Sequence, residues 1–382
     1  MKILHLSDLH FGKSPFKRDV YSFQKNFCGG VSDFVKENGI GALLISGDIY
    51  DTSTASSAAV SLWDHFMRLM IVECRIPVFV ISGNHDGSER LSVCSDILSA
   101  QGLYIRGSLE NFDTPVPVGD CDIYMLPFFE KGHMENILSK GFENTDAAYA
   151  AALDRIRSRM DSSRRNIIMS HCFAAGGIPS ESETSAELIS PAGTLNAVSV
   201  QNFKGFDYAA LGHIHRPQTL KCEGDDVIVR YCGTPMKYSF SETYQTKTFS
   251  IYDSGSNTLE TAEIPEYIRF GISAGSYDEV REKAAEYKSC DFVRIELNGE
   301  NGELSAADLR GLYPSAVQIV SSERRASRMS LSGITDDDIM RMDIQYLAEK
   351  YLKEYYGLDI TGEQKEWLSQ AVRLSEKEEP SQ

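Results

Sequence analysis

The feature that most limits how this 382-residue chain can fold is a series of short apolar segments, each followed at once by polar side chains. The segments are rich in branched residues and span 2–6 (KILHL), 42–46 (ALLIS), 77–82 (PVFVIS) and 166–170 (NIIMS). Their length and composition predict buried strands. The stretches 19–38 and 55–74 between them have the length of helices. Alternating strands and helices predict an α/β layered fold.

The polar side chains that follow these strands form a candidate metal site. They are Asp8 and His10, then Asp48, then Asn84, His85 and Asp86, then His171, and finally His213 and His215 after a further predicted strand at 207–211. Ligands of open α/β sheets bind at the carboxyl ends of strands, so we expect these groups to meet at one edge. Burying polar side chains without partners costs free energy, and bound cations would provide partners for a group of such side chains at the ends of strands. Carboxylate, amide and imidazole donors without thiolate indicate manganese, iron or zinc.

Composition and charge limit the remaining classes. Apolar residues make up 42% and charged residues 24% of the chain, which is typical of a globular protein. No secretory signal or membrane span is recognisable, and the eight cysteines lack C-x-x-C spacing, so we expect a cytoplasmic protein with reduced thiols. The net charge of −17 argues against a surface that binds polyanions everywhere. The cluster Lys13, Lys17, Arg18 and Lys25 is either a local contact for nucleic acid or a solvated face.

The later part of the chain predicts further units. Segments 226–231 and 247–252 alternate in polarity and predict a second, more antiparallel sheet. Residues 266–325 read as alternating strands and helices, with a capping box at Ser276 and Glu279. A helix at 335–356 has an apolar stripe that is either a partner surface or an internal core face, and another helix is predicted at 361–374. The predicted domains are therefore 1–265, 266–325 and 326–382.

The order D-x-H, G-D, G-N-H-D, H and G-H-x-H resembles the calcineurin-like metallophosphoesterase superfamily. The resemblance implies a four-layer αββα sandwich with a small α/β capping domain and C-terminal helices. Three stretches also resemble the nucleases of double-strand-break repair within that superfamily. They are SDLHFGK at 7–13, GNHDGSERL at 83–91 and CGTPMKYSFSE at 232–242.

The resemblance also implies a role for each candidate residue. One metal ion would be held by Asp8, His10, Asp48 and His215, and a second by Asp48, Asn84, His171 and His213. Asp48 would bridge the two ions, as is normal for a two-metal hydrolase. His85 would face the scissile phosphate as a catalytic residue, with Asp86 orienting its ring.

The activity implied by the resemblance is manganese-dependent cleavage of DNA. The chain would act as a 3′-to-5′ exonuclease on duplex ends and as an endonuclease on single strands. It would serve DNA repair, recombination and replication. An ATPase subunit would be the partner, with two copies of each chain in a heterotetramer, and two copies of this chain would form a homodimer. Residues 335–375 are the candidate ATPase-binding segment. The alternatives are a phosphatase or phosphodiesterase for a small phosphoester, and an inactive scaffold, whose signature would be a missing ligand.

Overall fold

The computed structural model describes residues 1–178, 197–298 and 306–321. The helices predicted at 335–356 and 361–374, and the whole predicted segment 326–382, lie outside the described residues. The strands are β1 (Lys2–Leu6), β2 (Ala42–Ser46), β3 (Val78–Ile81), β4 (Leu103–Arg106), β5 (Val116–Val118), β6 (Cys121–Leu126), β7 (Arg165–His171), β8 (Tyr208–Gly212), β9 (Gln218–Leu220), β10 (Ile228–Tyr231), β11 (Thr248–Asp253), β12 (Thr258–Glu263), β13 (Phe270–Gly275), β14 (Phe292–Leu297) and β15 (Ala316–Ser321).

The helices of the described residues are α1 (Tyr21–Asn38), α2 (Ser57–Met67), α3 (Ser88–Leu91), α4 (Ser95–Ser99), α5 (Lys131–Leu138), α6 (Thr145–Arg157), α7 (Tyr277–Lys283) and α8 (Ala306–Leu312). The helix predicted at 55–74 is α2 followed by a π-helical segment, Arg68–Cys74. Side chains cap two of the longer helices. Ser56 accepts a hydrogen bond from Ala59 N at the start of α2, and Asn144 accepts one from Ala147 N at the start of α6.

Two six-stranded sheets form the centre of the fold. The first has the order β12-β11-β1-β2-β3-β4, and the second has the order β5-β6-β7-β8-β10-β9. Strands β1 to β4 are parallel to one another, as are β6, β7, β8 and β10. Parallel strands are covered on both faces, which explains why the predicted strand segments are apolar throughout rather than alternating.

The two sheets pack face to face and carry helices on their outer sides. Ile3, Leu44 and Phe79 of the first sheet share a buried core with Ile123, Ile167 and Tyr208 of the second. On the outer side of the second sheet, α6 packs against the strands through Tyr149, Leu153 and Ile156. On the outer side of the first, Phe34 of α1 lies 4.3 Å from Phe249 of β11, measured between ring centroids. The predicted α/β fold with αββα layers is confirmed.

The prediction that 226–231 and 247–252 share one more antiparallel sheet is wrong. β10 lies parallel to β8 in the second sheet, whereas β11 lies antiparallel to β1 in the first. β11 joins β1 because its two faces match two different cores: Tyr252 stacks on Tyr208 between the sheets, and Phe249 faces α1. Alternation in the sequence predicts the strands but not the sheet that each one joins.

The described residues divide into two compact units, Met1–Ile272 with Ser289–Phe292, and Ser273–Lys288 with the residues from Val293 onwards. A three-stranded sheet of order β13-β14-β15 follows the large sheets in the sequence. The predicted capping box of α7 is present, since Ser276 N donates to Glu279 Oε2 at 2.7 Å and Glu279 N donates to Ser276 Oγ. Within the second unit, the Tyr313 hydroxyl hydrogen-bonds to Ser273 and Val280.

Two further findings concern the chain as a whole. All eight cysteines lie among the described residues, and none of them forms a disulfide. In the described part of the chain, no helix combines the length and the apolar character that crossing a membrane requires.

Candidate metal centre

The seven side chains predicted to bind metal lie at the carboxyl ends of strands from both large sheets. Asp8 and His10 follow β1, Asp48 follows β2, Asn84 follows β3, His171 ends β7, and His213 and His215 follow β8. Six of them are buried and Asn84 is half-buried. The single edge expected from the sequence is therefore the place where the ends of two facing sheets meet.

One cluster of donor atoms centres on His10. Its Nε2 atom lies 3.1 Å from Nε2 of His215 and 3.9 Å from Oδ2 of Asp48. Donor atoms of Asp8, His10 and His215 all lie within 4.8 Å of one another. Burial, with the charges of His10 and Lys247, lowers the pKa of His215 well below its ordinary value. His215 is therefore neutral, which is the form in which an imidazole binds a metal ion.

A second cluster centres on His171. Its Nε2 atom lies 2.9 Å from Oδ1 of Asn84 and 3.4 Å from Oδ2 of Asp48. The same Asn84 oxygen lies 3.1 Å from Nδ1 of His213. Donor atoms of Asp8, Asp48 and His171 also lie within 4.8 Å of one another. Asp48 belongs to both clusters, because its Oδ2 atom lies near His10 on one side and His171 on the other.

The contacts of His171 test whether this donor set fits a cation. Nδ1 of His171 lies 2.8 Å from the carbonyl oxygen of Ser46, which can only accept, so Nδ1 carries a proton. Nε2 faces the oxygens of Asn84 and Asp48. It either carries a second proton, which makes the ring positively charged, or has a lone pair that can bind a cation. Burial by itself lowers the pKa of His171, but the carboxylates of Asp48 and Asp8 raise it to about 9. The site favours positive charge at this point, and a divalent metal ion would supply it.

The backbone of the ligand loops is strained. Asp8 has φ of 53°, His10 of 45°, Asp48 of 52° and His213 of 98°. Residues other than glycine rarely adopt such values, and they concentrate at functional sites. Gly47, with φ of 89°, is needed for a second reason, since a Cβ atom there would lie 2.3 Å from Nδ1 of His171. The unusual backbone geometry is therefore concentrated in the loops that carry the candidate donor groups.

His85 lies at the rim of the two clusters. Its amide donates to Oδ1 of Asp48 at 2.9 Å, its Nδ1 lies 2.9 Å from the carbonyl oxygen of Asp51, and its Nε2 lies 4.0 Å from Oδ2 of Asp48. Asp86, predicted to orient this ring, is buried and accepts backbone N–H bonds from Ile49, Tyr50 and Gly83. These bonds tie the loops after β2 and β3 together. Nδ1 of the His85 ring therefore faces the main-chain oxygen of Asp51, and the Asp86 carboxylate holds backbone amides of the two loops.

The predicted basic cluster is divided by its contacts. Nζ of Lys13 lies 2.6 Å from Oδ1 of Asp51, and the same carboxylate oxygen lies 3.4 Å from Nδ1 of His10. Arg18 donates to the carbonyl oxygen of Asp291 at 3.2 Å. Lys17 and Lys25 are exposed. The side chain of Lys13 is therefore linked to His10 through the carboxylate of Asp51.

Two residues that sequence reasoning did not single out support the loop after β1. Gln24 of α1 donates through Nε2 to the carbonyl oxygen of His10 at 2.9 Å and to the hydroxyl of Tyr238 at 3.0 Å. Tyr238 in turn donates to the carbonyl oxygen of Leu9 at 2.7 Å. Tyr238 lies in the stretch 232–242 that resembles repair nucleases, whereas nothing in the local sequence marks Gln24. The stretch 232–242 thus packs against the D-x-H loop.

Comparisons with known proteins assign the chain to a family. The family model "Calcineurin-like phosphoesterase" matches residues 1–217. A relative from Staphylococcus epidermidis, described as the D chain of the nuclease SbcCD, is 33% identical over 260 residues, which cover 68% of this chain and 67% of the relative.

Two solved structures are distant neighbours. The protein TT1561 of Thermus thermophilus gives a TM-score of 0.42 at 12% identity and covers 69% of this chain and 98% of its own. A dimetal phosphatase from Danio rerio gives a TM-score of 0.40 at 12% identity, and the match covers 70% of this chain and 97% of the phosphatase. The family match extends over all seven candidate ligands, from Asp8 to His215. This chain belongs to the calcineurin-like phosphoesterase family.

Proposed function

We propose that this chain is the nuclease component of a DNA-processing complex and hydrolyses phosphodiester bonds with a pair of divalent ions. The observation that carries the proposal is the Asp48 carboxylate, whose Oδ2 lies 3.9 Å from Nε2 of His10 and 3.4 Å from Nε2 of His171. One carboxylate between two donor clusters suits a two-ion site. The relative named as part of a nuclease supports DNA as the substrate.

The proposed ligands of the first ion are Asp8, His10, Asp48 and His215, and those of the second are Asp48, Asn84, His171 and His213. We propose Mn²⁺ as the ion, in keeping with mixed oxygen and nitrogen donors. The chemistry supplied by such a pair is neutralisation of charge on the phosphate and activation of water at neutral pH. Anomalous scattering at the manganese edge from crystals grown with Mn²⁺ would identify ligands and ion number together.

The proposed role of His85 is to give a proton to the leaving oxygen. With Nδ1 directed at the Asp51 carbonyl oxygen, the proton to be transferred is held at Nε2. Asp51 also contacts Lys13 through its carboxylate, so it connects the proposed proton donor with a positive charge beside the site.

The proposed DNA contact is local, because the chain carries a net charge of −17. A cavity of about 590 Å³ is lined by Lys13, Ser14, Asp19, Gln24, Ser56 and Ser57 among others, and Gln24 reaches the loop of His10. Hydroxyl groups and one lysine are suitable partners for a phosphodiester backbone. We propose that an SbcC-type ATPase, in a complex with two copies of each chain, supplies most of the remaining contact with DNA.

We further propose that two copies of this chain form a homodimer and that 335–375 binds the ATPase. A truncation at Gly333 that still co-purifies with the partner would contradict the second point. Adding the ATPase should also steepen the salt dependence of duplex binding, because each additional phosphate contact contributes about −0.9 to the slope of log K against log salt.

The central experiment compares two substrates, a linear duplex with a labelled 3′ end and bis-p-nitrophenyl phosphate, with Mn²⁺ and with EDTA. The expected result is Mn²⁺-dependent cleavage of both, with loss of label from the 3′ end of the duplex. Asp48→Asn should abolish both activities. Cleavage of the small phosphoester without any cleavage of DNA, with or without the ATPase, would contradict the nuclease proposal and favour a small-molecule enzyme.

A further inference from the structure

A buried ion pair lies behind the candidate metal centre. Nζ of Lys247 lies 2.7 Å from Oε2 of Glu242, and the exposed fractions of the two side chains are 4% and 0%. The hydroxyl of Thr234 lies 2.7 Å from the Lys247 nitrogen and 3.1 Å from the same Glu242 oxygen. The three side chains form one polar network, and two of them come from the stretch 232–242.

This network ends on the main chain of a proposed metal ligand. Nζ of Lys247 donates to the carbonyl oxygen of His215 at 3.1 Å, and the amide of Thr234 donates to the same oxygen at 3.1 Å. The imidazole of His215 meanwhile lies with Nε2 3.1 Å from Nε2 of His10. Thus the network holds the main-chain carbonyl of His215, while the imidazole of the same residue faces the first donor cluster.

The position of His215 explains why such support is needed. It lies three residues beyond the end of β8, so no ladder hydrogen bonds of that strand hold it. The neighbouring His213 has φ of 98°, an unfavourable value for a residue other than glycine. A loop with this geometry keeps its position only when surrounding groups determine it.

Stability alone is a weak reason for a chain to keep this ion pair. Removing two charges from water is costly, and replacing a buried pair with apolar residues of similar size is often neutral or stabilising. Nζ of Lys247 also donates to Thr234, Glu242 and Gln245, and its positive charge strengthens the hydrogen bond that it gives to the His215 carbonyl oxygen. The geometry is that of a support for a metal ligand, in which groups behind the ligand set its orientation.

We propose that Lys247 and Glu242, together with Thr234, are positioning residues that fix His215 for divalent-ion binding by holding its main-chain carbonyl. This inference rests on the proposed function and deepens it. None of the proposed metal ligands lies in the stretch 232–242. The inference gives this stretch a function, which is to support one of those ligands.

The test uses Lys247→Met in the full-length chain. Mn²⁺ affinity is measured by titration calorimetry, thermal unfolding is measured on the metal-free protein, and hydrolysis of bis-p-nitrophenyl phosphate is measured across a range of Mn²⁺ concentrations. We expect a loss of Mn²⁺ affinity of roughly 10- to 100-fold, the range typical of groups that support metal ligands. Turnover should recover substantially at saturating Mn²⁺, because no ligand has been removed.

Arg164→Met is the matched control. Arg164 binds the carboxylate of Asp122 and the carbonyl oxygens of Gly119 and Cys121, at the ends of β6 and β7 opposite to the candidate metal centre. The substitution therefore removes a cation that, like Lys247, binds a carboxylate and main-chain carbonyl oxygen. We expect lower thermal stability with unchanged Mn²⁺ affinity. An equal loss of affinity in this control would overturn the inference, since the removal of any ion-paired cation would then have the same effect.

Two more variants keep the test decisive if Lys247→Met does not fold. Lys247→Met combined with Glu242→Leu removes both charges, and Thr234→Val keeps both but removes the shared hydroxyl. Each should weaken Mn²⁺ binding, Thr234→Val by several fold. Folded variants with the Mn²⁺ affinity of the unmodified chain would overturn the inference while leaving the proposed function intact. If the unmodified chain binds no divalent ion, the proposed function itself fails, and the inference fails with it.

Discussion

Fully buried histidines of this chain differ in proton affinity because their partners differ. Burial and the charge of Arg230 lower the pKa of His5 to about 3, and its Nδ1 lies 2.8 Å from the hydroxyl of Tyr208. Burial acts on His171 in the same direction, yet the adjacent carboxylates of Asp48 and Asp8 raise its pKa to about 9. The partner, rather than the depth of burial, decides which histidine is suited to a charged site.

A substitution of His85 separates proton transfer from metal binding. His85→Asn should retain Mn²⁺ affinity, because the ring is outside the proposed ligand set, while turnover of bis-p-nitrophenyl phosphate should fall about 10²–10⁴-fold. His133→Asn, at an exposed position on α5, is the control and should leave turnover unchanged. Near-normal turnover of His85→Asn would remove the role proposed for it.

His5 gives a prediction about pH. The unfolded chain takes up a proton on this residue near pH 6.5, but the folded chain does so only near pH 3. The contribution to stability is therefore complete above pH 6.5 and is lost at about 1.4 kcal/mol per pH unit as the pH falls below it. His5→Gln should remove this part of the slope in urea unfolding of the metal-free protein between about pH 7.5 and 5. Identical slopes for the two proteins would contradict the prediction.

At the level of elements, the close approach of two strand ends shapes the site. The loops after β2 and β3 are joined by Asp86, whose carboxylate accepts three backbone N–H groups. They also touch directly, since a Cβ atom added to Gly83 would lie 2.1 Å from Oδ1 and 2.5 Å from N of Asp48. Because the Asp48 nitrogen is a backbone atom, the loop after β2 would have to move to accommodate a Cβ atom at position 83.

Gly83→Ala should therefore displace Asp48. We expect a loss of about 1–3 kcal/mol in the free energy of unfolding, typical of overpacking, together with weaker Mn²⁺ binding. Gly132→Ala in α5 is the matched control, because a Cβ atom there meets nothing within 4 Å. It should be neutral or stabilising by up to about 1 kcal/mol. Equal Mn²⁺ affinity in both variants would show that the approach of Gly83 to Asp48 is not needed for the site.

At the scale of the whole molecule, the donor set joins the two sheets. Asp8, His10, Asp48 and Asn84 follow strands of the first sheet, whereas His171, His213 and His215 belong to the second. An ion bound between them can be held only when both sheets are folded and packed together. Metal binding should therefore stabilise the fold.

Mn²⁺ at about 100 times its dissociation constant should raise the free energy of unfolding by about 2.7 kcal/mol, and EDTA should reverse the effect. Asp48→Asn should lose most of this gain. Asp207→Asn is the control, because Asp207 accepts from Arg165 and the Asn166 amide, outside both donor clusters. It should be less stable but keep the response to Mn²⁺. Thermal unfolding of the three proteins with and without Mn²⁺ checks the prediction, and an equal response in all three would contradict it.

Much of the local structure was predictable from the sequence. The branched apolar segments indicated β1, β2, β3 and β7, and the pair Ser276 and Glu279 indicated the start of α7. The side chains that meet at the donor clusters were also identifiable, because each follows a predicted strand. Such features depend on residues a few positions apart, whose periodicity and hydrogen-bonding capacity can be read directly.

Only the tertiary structure decided how these pieces combine. β11 belongs to the first sheet, because Tyr252 and Phe249 fill two separate cores. Asp86 holds backbone amides, and Lys247 reaches the carbonyl oxygen of a residue 32 positions earlier in the chain. A local pattern states that a segment has an apolar face or a polar end but not which distant surface will meet it. That choice depends on packing and hydrogen bonding between segments far apart in sequence, and these contacts exist only in the folded chain.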